Sequence, residues 1–113
     1  MTERVAKVNH VLQKELGAIL LKEFDAPENT LVTLTRADAS PNLQQARIYI
    51  SVMPEEKVPE VFKALQKQVY GIQQMLNKRL KMRPVPRIEW VLEEKTREAQ
   101  EIEQILEDIK RKK

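Results

Sequence analysis

The sequence predicts an α+β fold in which a three-stranded sheet is backed by helices on one face. Two long stretches carry apolar residues at the three- and four-residue steps of an amphipathic helix. Three short stretches alternate apolar and polar residues, which is typical of strands with one buried face. In chain order the elements are helix, hairpin, long helix, strand and helix, and a sheet covered on one face buries every apolar stripe.

The first helix is predicted over residues 3–23. Thr2 can serve as its N-cap, and Pro27 lies in the stretch that ends it, because proline cannot continue a helix. Its apolar positions are Val5, Val8, Leu12, Leu16, Ile19 and Leu20.

A β-hairpin follows. The predicted strands are residues 31–38 and 45–52, and the turn residues 40–43 connect them. The second strand alternates strictly, whereas the apolar positions of the first strand change phase midway. This change predicts a β-bulge near Thr35 and Arg36.

The second long helix is predicted over residues 58–80 and ends before residues 84–86, Pro-Val-Pro. Gly71 lies in its middle, where glycine costs roughly 1 kcal/mol relative to alanine. Such a glycine marks a kink or a close approach of two backbones, or is simply tolerated.

A third strand is predicted over residues 88–92, followed by an amphipathic helix over about residues 96–112 and a basic tail, residues 110–113. We find no internal repeat, so residues 1–113 are expected to form a single domain.

Composition excludes several classes of protein. Apolar residues make up 42% of the chain and charged residues 33%, as in soluble globular proteins. No apolar run is long enough to cross a membrane, and the polar start of the chain predicts no signal peptide. Cysteine is absent, so disulfides and thiolate chemistry are excluded, which fits a cytoplasmic protein.

The sequence lacks the groups that catalysis requires, and we therefore expect no enzyme. His10 is the single histidine, and the two glycines stand at positions 17 and 71, which excludes glycine-rich phosphate loops. A zinc site would need three or four nitrogen or sulfur ligands. No metal, cofactor or small-molecule substrate is expected.

The charge distribution favours a polyanionic partner. Seven basic residues and no acidic ones lie between Val61 and Ile88, whereas eight acids lie between Glu89 and Asp108. A solvated helix face explains such a block equally well, and the helix dipole also favours cations at a helix end. The candidate RNA-binding residues are Lys67, Lys78, Arg79, Lys81, Arg83 and Arg87.

Aromatic residues are scarce. Phe62 and Trp90 are expected in the core, and Tyr49 and Tyr70 could each stack on a base, although packing is the commoner role. Contacts to the phosphate backbone are therefore favoured over recognition of single-stranded sequence.

Several runs of residues, from about residue 4 to residue 106, form an ordered set. The first helix carries Arg4-Val5-Ala6, Val11-Leu12-Gln13-Lys14-Glu15-Leu16 and Ile19-Leu20. The hairpin carries Leu31-Val32-Thr33-Leu34-Thr35, Ser40-Pro41-Asn42-Leu43 and Ala46-Arg47-Ile48-Tyr49-Ile50-Ser51. The end of the second long helix and the third strand carry Leu80-Lys81-Met82-Arg83, Pro86 and Ile88-Glu89-Trp90. In order and in spacing, these runs resemble the opening helix, the hairpin, the helix end and the last strand of the ribosome-binding factor A family.

The resemblance implies a KH-like fold of the second type, with the order α-β-β-α-β-α and a kinked second helix. It also implies binding to the immature small (30S) ribosomal subunit and help in maturing 16S rRNA near its 5′ end, with a role in growth in the cold. Separately from the resemblance, nothing in the sequence calls for an oligomer, so a monomer is expected, and the absence of cysteine fits the cytoplasm.

One motif of the family is altered. The family carries an Ala-x-Gly kink in the long helix, and an ungapped count from Arg83 places this motif on residues 68–70. Gly71 lies one residue later, so the resemblance implies a kink at Val69, Tyr70 and Gly71. The arginine that the family has three residues after its glycine is Gln73 or Gln74 here.

Two other functions are compatible with the same residues. A KH-like module could bind another structured RNA, or the acidic C-terminal helix could serve as a protein-interaction surface.

Overall fold

The computed structural model describes residues 2–94 together with Ile105 and Ile109. Its elements in chain order are α1 (Glu3–Glu23), β1 (Leu31–Ala39), β2 (Gln45–Met53), α2 (Val58–Arg79) and β3 (Arg87–Leu92), and a short 3-10 turn precedes α2. The predicted α+β class and element order are confirmed over this part of the chain.

Helix α1 begins as predicted. The backbone N–H of Val5 donates to the hydroxyl of Thr2 at 3.2 Å, so Thr2 satisfies one of the free donors of the first turn. The buried face of α1 carries Leu12, Leu16 and Ile19, which are fully enclosed.

Strands β1 and β2 pair in antiparallel orientation, and their register shifts between Leu34 and Arg36. This confirms the predicted bulge. The extra residue moves the alternation by one position, so that Ala37 and Ala39 face the core after the bulge.

Strand β3 pairs with β2 in parallel, and the strand order is β1-β2-β3. Because α2 carries the chain from β2 to β3, it can pack on the sheet and close the core. Helix α1 lies against β1, and α2 lies against α1 and β3. One face of the sheet is therefore covered by helices.

Two buried polar contacts join the helices to the sheet. The indole N–H of Trp90 donates to the backbone carbonyl of Leu65 at 3.1 Å. The backbone N–H of Ala39 donates to Oδ1 of Asn9 at 2.7 Å, and Asn9 is 7% exposed. A buried polar group needs such a partner, since an unsatisfied one is costly.

Helix α2 continues without interruption through residues 69–71. Gly71 is exposed, its φ is not positive, and a Cβ built there would meet no atom within 4 Å. A close approach of two backbones is thus not the reason for this glycine, and a kink at Val69, Tyr70 and Gly71 stays a prediction.

The C-terminal helix predicted over residues 96–112 and the basic tail 110–113 lie outside the described residues, except for Ile105 and Ile109. These two residues are helical and more than half exposed.

Candidate nucleic-acid interface

The outer face of α2 carries a line of lysines. Val61, Leu65, Ile72 and Leu76 form the buried face of the helix. Lys67 and Lys78 stand eleven residues apart, which is close to three helical turns and about 16 Å along the axis. Both are exposed on the side opposite the core.

Lys63 lies one turn before Lys67 and extends this line. We call Lys63, Lys67 and Lys78 the basic stripe. None of the three forms an ion pair with any described residue. The single acid of α2, Glu60, lies in the first turn and is 3.3 Å from Nζ of Lys57. The stripe therefore presents charges that other described side chains do not neutralise.

Arg79 differs from the stripe. Its guanidinium lies 3.2 Å from Oε2 of Glu15, and the two side chains are 38% and 26% exposed. The absence of acids between Val61 and Ile88 in the sequence therefore does not leave Arg79 unpaired. Sequence reasoning missed the pair because Glu15 lies on α1, 64 residues earlier.

Arg83 is engaged with its own loop. Its Nη1 donates to the backbone carbonyls of Leu80 and Met82, each at 2.7 Å. These bonds satisfy the carbonyl of Leu80, the C-cap of α2, and one carbonyl of the loop that follows, and they orient the guanidinium. Lys81, in the same loop, is exposed and forms no ion pair within the described part of the chain.

Arg87 begins β3 and lies close to Arg83. The two arginines border a shallow pocket beside α2, together with Gln73 and Asn77. The fold thus brings together two residues that the sequence separates by a proline-containing loop.

Gln73 holds this corner of the structure. Its Oε1 accepts the backbone N–H of Ile88 at 2.9 Å, and its Nε2 donates to the carbonyl of Pro86 and to Oδ1 of Asn77, both at 3.1 Å. The residue that stands near the family's arginine position therefore fastens α2 to the free edge of β3. No sequence signal identified this role.

Gln68 makes a similar clamp at the other side of α2. Its Nε2 donates to the carbonyl of Asp25 at 3.0 Å, and its Oε1 accepts the backbone N–H of Asp25 at 3.1 Å. These two hydrogen bonds fasten α2 to the loop between α1 and β1. Glutamine amides therefore fix α2 to this loop on one side and to β3 on the other.

The two tyrosines occupy different environments. Tyr70 is 76% exposed on α2, so packing, the commoner of the two roles open to it, is not the role that the structure shows. It borders a shallow groove between α2 and β3, with Gln66 and Val69. Tyr49 lies on the uncovered face of the sheet, and the guanidinium of Arg36 stacks 3.8 Å from its ring centroid.

The geometry divides the predicted RNA-binding residues into three groups. Lys67 and Lys78 belong to the basic stripe. Arg83 and Arg87 meet at the shallow pocket, and Lys81 lies in the connecting loop. Arg79 is turned toward α1.

Among the described residues, no group of three or more histidine, aspartate or glutamate side chains could hold a metal ion, and His10 is exposed on α1. Within the same residues, neither helix is long and apolar enough to span a membrane.

The fold and the charged face of α2 define a small α+β protein with a basic surface on its second helix. Residues 4–106 match the sequence profile of ribosome-binding factor A, and the chain belongs to this family of ribosome-binding factors. A ribosome-binding factor A of Bdellovibrio bacteriovorus is 30% identical over 107 residues, which cover 94% of this chain and 80% of the relative. One from Opitutus terrae is 29% identical over 112 residues, covering 98% and 91%.

Solved structures support the same fold. The crystal structure of ribosome-binding factor A from Thermus thermophilus gives a TM-score of 0.68 at 22% identity, covering 78% of this chain and 94% of that one. The solution structure of a Thermotoga maritima protein described as a ribosome-binding factor A gives 0.66 at 24%, covering 84% and 92%. A homology model of the T. thermophilus factor, fitted into a cryo-EM map of a 30S complex of that factor, gives a TM-score of 0.59 at 21% identity, covering 74% of this chain and 88% of that one.

Proposed function

We propose that this protein binds the immature small ribosomal subunit through 16S rRNA and assists the maturation of that RNA near its 5′ end. It acts as a monomeric, single-domain assembly factor in the cytoplasm, without catalysis. Family membership supports ribosome binding, and the 30S complex of the Thermus relative supports the choice of subunit. The rRNA step and the role in the cold rest on the family resemblance.

The basic stripe is the observation that best supports a contact with RNA. Three ammonium groups lie along one exposed face of a helix and have no acidic partners among the described residues. Lysines so placed can neutralise successive phosphates and release their counterions, which makes binding favourable and dependent on salt. Lys81, Arg83 and Arg87 extend the positive surface beyond the end of the helix.

The experiment is co-sedimentation with mature small subunits, immature small subunits and large subunits over a salt series. We expect selective binding to small subunits, strongest for immature particles, that weakens as salt rises. Binding without preference for either subunit would favour a module for another structured RNA. Binding that persists at high salt would contradict a phosphate-based contact.

Charge reversal tests the surface. The variant Lys67→Glu with Lys78→Glu should abolish or strongly weaken subunit binding and reduce the log–log salt slope by about 0.7 to 0.9 for each lost phosphate contact. The matched control is Lys14→Glu with Lys22→Glu, which reverses two exposed lysines on α1. Equal binding by both folded variants would refute the proposed surface.

Removal of residues 96–113 addresses the protein-interaction alternative. Loss of a protein partner with retained RNA binding would assign a separate role to the acidic segment. Retained binding to the small subunit by the shortened chain is the result expected if α2 carries the contact.

A further inference from the structure

Tyr70 is the described aromatic side chain most open to solvent, and it lies next to the basic stripe. Lys67 is three residues before it, so the two side chains are neighbours on the surface of α2. The phenol ring is 76% exposed. A flat apolar surface and a cation therefore stand side by side on a rigid helix.

Two glutamines flank the ring. Gln66 and Gln74 stand four residues on either side of Tyr70 and are exposed. Neither side-chain amide makes a hydrogen bond to another described residue. Each amide offers both donors and an acceptor, the groups that bind the edge of a base.

We propose that Tyr70 is a stacking platform for one unpaired base of an RNA strand. The phosphates of that strand then lie along the basic stripe, of which Lys67 is next to Tyr70. The proposal rests on the proposed function and specifies the kind of RNA segment that the surface binds. An unpaired base exposes its face and can cover the phenol ring, whereas bases inside a duplex are already stacked on their neighbours. The ligand class is thus a single-stranded segment of RNA, not a continuous duplex.

The contrast with Tyr49 supports this assignment. Arg36 already lies over the ring of Tyr49 at 3.8 Å, and that guanidinium also lies 3.3 Å from the carboxylate of Glu93. Tyr49 is therefore partly enclosed by its own neighbours, while Tyr70 has both cation and amides beside it and an open face.

The test compares an unstructured RNA of about ten nucleotides, within the usual site sizes for such proteins, with a blunt RNA duplex carrying the same number of phosphates. Tyr70→Leu should weaken binding to the unstructured RNA about tenfold and leave duplex binding unchanged. Tyr70→Phe retains the aromatic face and should bind as the natural protein does. Because position 70 is exposed, all variants are expected to fold, and circular dichroism checks this.

A direct readout is provided by Tyr70→Trp. Stacking should quench the added indole fluorescence with the unstructured RNA and not with the duplex, while the buried Trp90 gives a constant background. Equal affinity of Tyr70→Leu and the natural protein for the unstructured RNA would overturn the stacking site, as would an equal loss for both RNAs.

These results are separable from those for the proposed function. If subunit binding still falls with Lys67→Glu and Lys78→Glu, failure of the Tyr70 test removes only the stacking platform. If that charge reversal leaves subunit binding unchanged, the proposed surface itself has failed.

Discussion

Replacement of Gly71 by alanine tests whether α2 needs its central glycine. Gly71 is exposed, lies in continuous helix, has no positive φ and leaves open space where a Cβ would stand. Alanine at such a position loses less backbone entropy on folding than glycine does. The Gly71→Ala variant should therefore be more stable by about 0.5 to 1 kcal/mol.

The change is large enough to measure. Average unfolding entropies per residue imply that 1 kcal/mol shifts the Tm of a chain of this size by about 4 °C, so we expect a rise of about 2 to 4 °C in thermal unfolding followed by circular dichroism. Gly17→Ala is the matched control, because Gly17 also lies inside a helix with no atom within 4 Å of a built Cβ.

A rise in Tm for Gly17→Ala combined with an unchanged or lower Tm for Gly71→Ala would refute this reasoning. It would show that α2 requires a conformation at residue 71 that alanine disfavours, as the family resemblance implies for a kink. Subunit co-sedimentation of Gly71→Ala then separates a need for stability from a need for binding.

Two further predictions concern hydrogen bonds that join helix to sheet. Asn9→Ala should lower the free energy of unfolding by about 1 to 3 kcal/mol, because the buried N–H of Ala39 loses its acceptor; a urea midpoint equal to that of the natural protein would contradict this. Gln73→Ala should cost about 1 to 2 kcal/mol, since the N–H of Ile88 and a neighbouring carbonyl lose a half-buried partner. The control is Gln74→Ala, because Gln74 is the next residue of α2 and is exposed. This variant should change the free energy of unfolding by less than about 0.5 kcal/mol. Equal costs for the two variants would contradict the inference that Gln73 stabilises the edge of β3.

The elements of the fold were predictable because they depend on local patterns. Val5, Leu12, Leu16 and Ile19 recur at helical spacing, and the apolar residues of β2 alternate, so each element shows its buried side within its own segment. Even the bulge of β1 was visible, since a shifted strand must shift its apolar positions too.

The electrostatic environment of the candidate site was only partly predictable. The density of lysine and arginine after Val61 is a property of the sequence, but the pairing of Arg79 with Glu15 depends on how α1 packs beside α2. Likewise, Tyr70 lies on the outer face of α2, and its exposure follows from which face of that helix contacts the sheet.

The sequence by itself determined the class of fold, the bounds of most elements and the basic character of residues 61–88, because propensity, periodicity and charge are properties of short segments. Only the tertiary structure decided the strand order, the parallel pairing of β3 with β2 and the division of the basic residues into free and paired groups. It also assigned Gln73 to the edge of β3. These features depend on contacts between residues far apart in the chain, and no local pattern records which distant groups will meet.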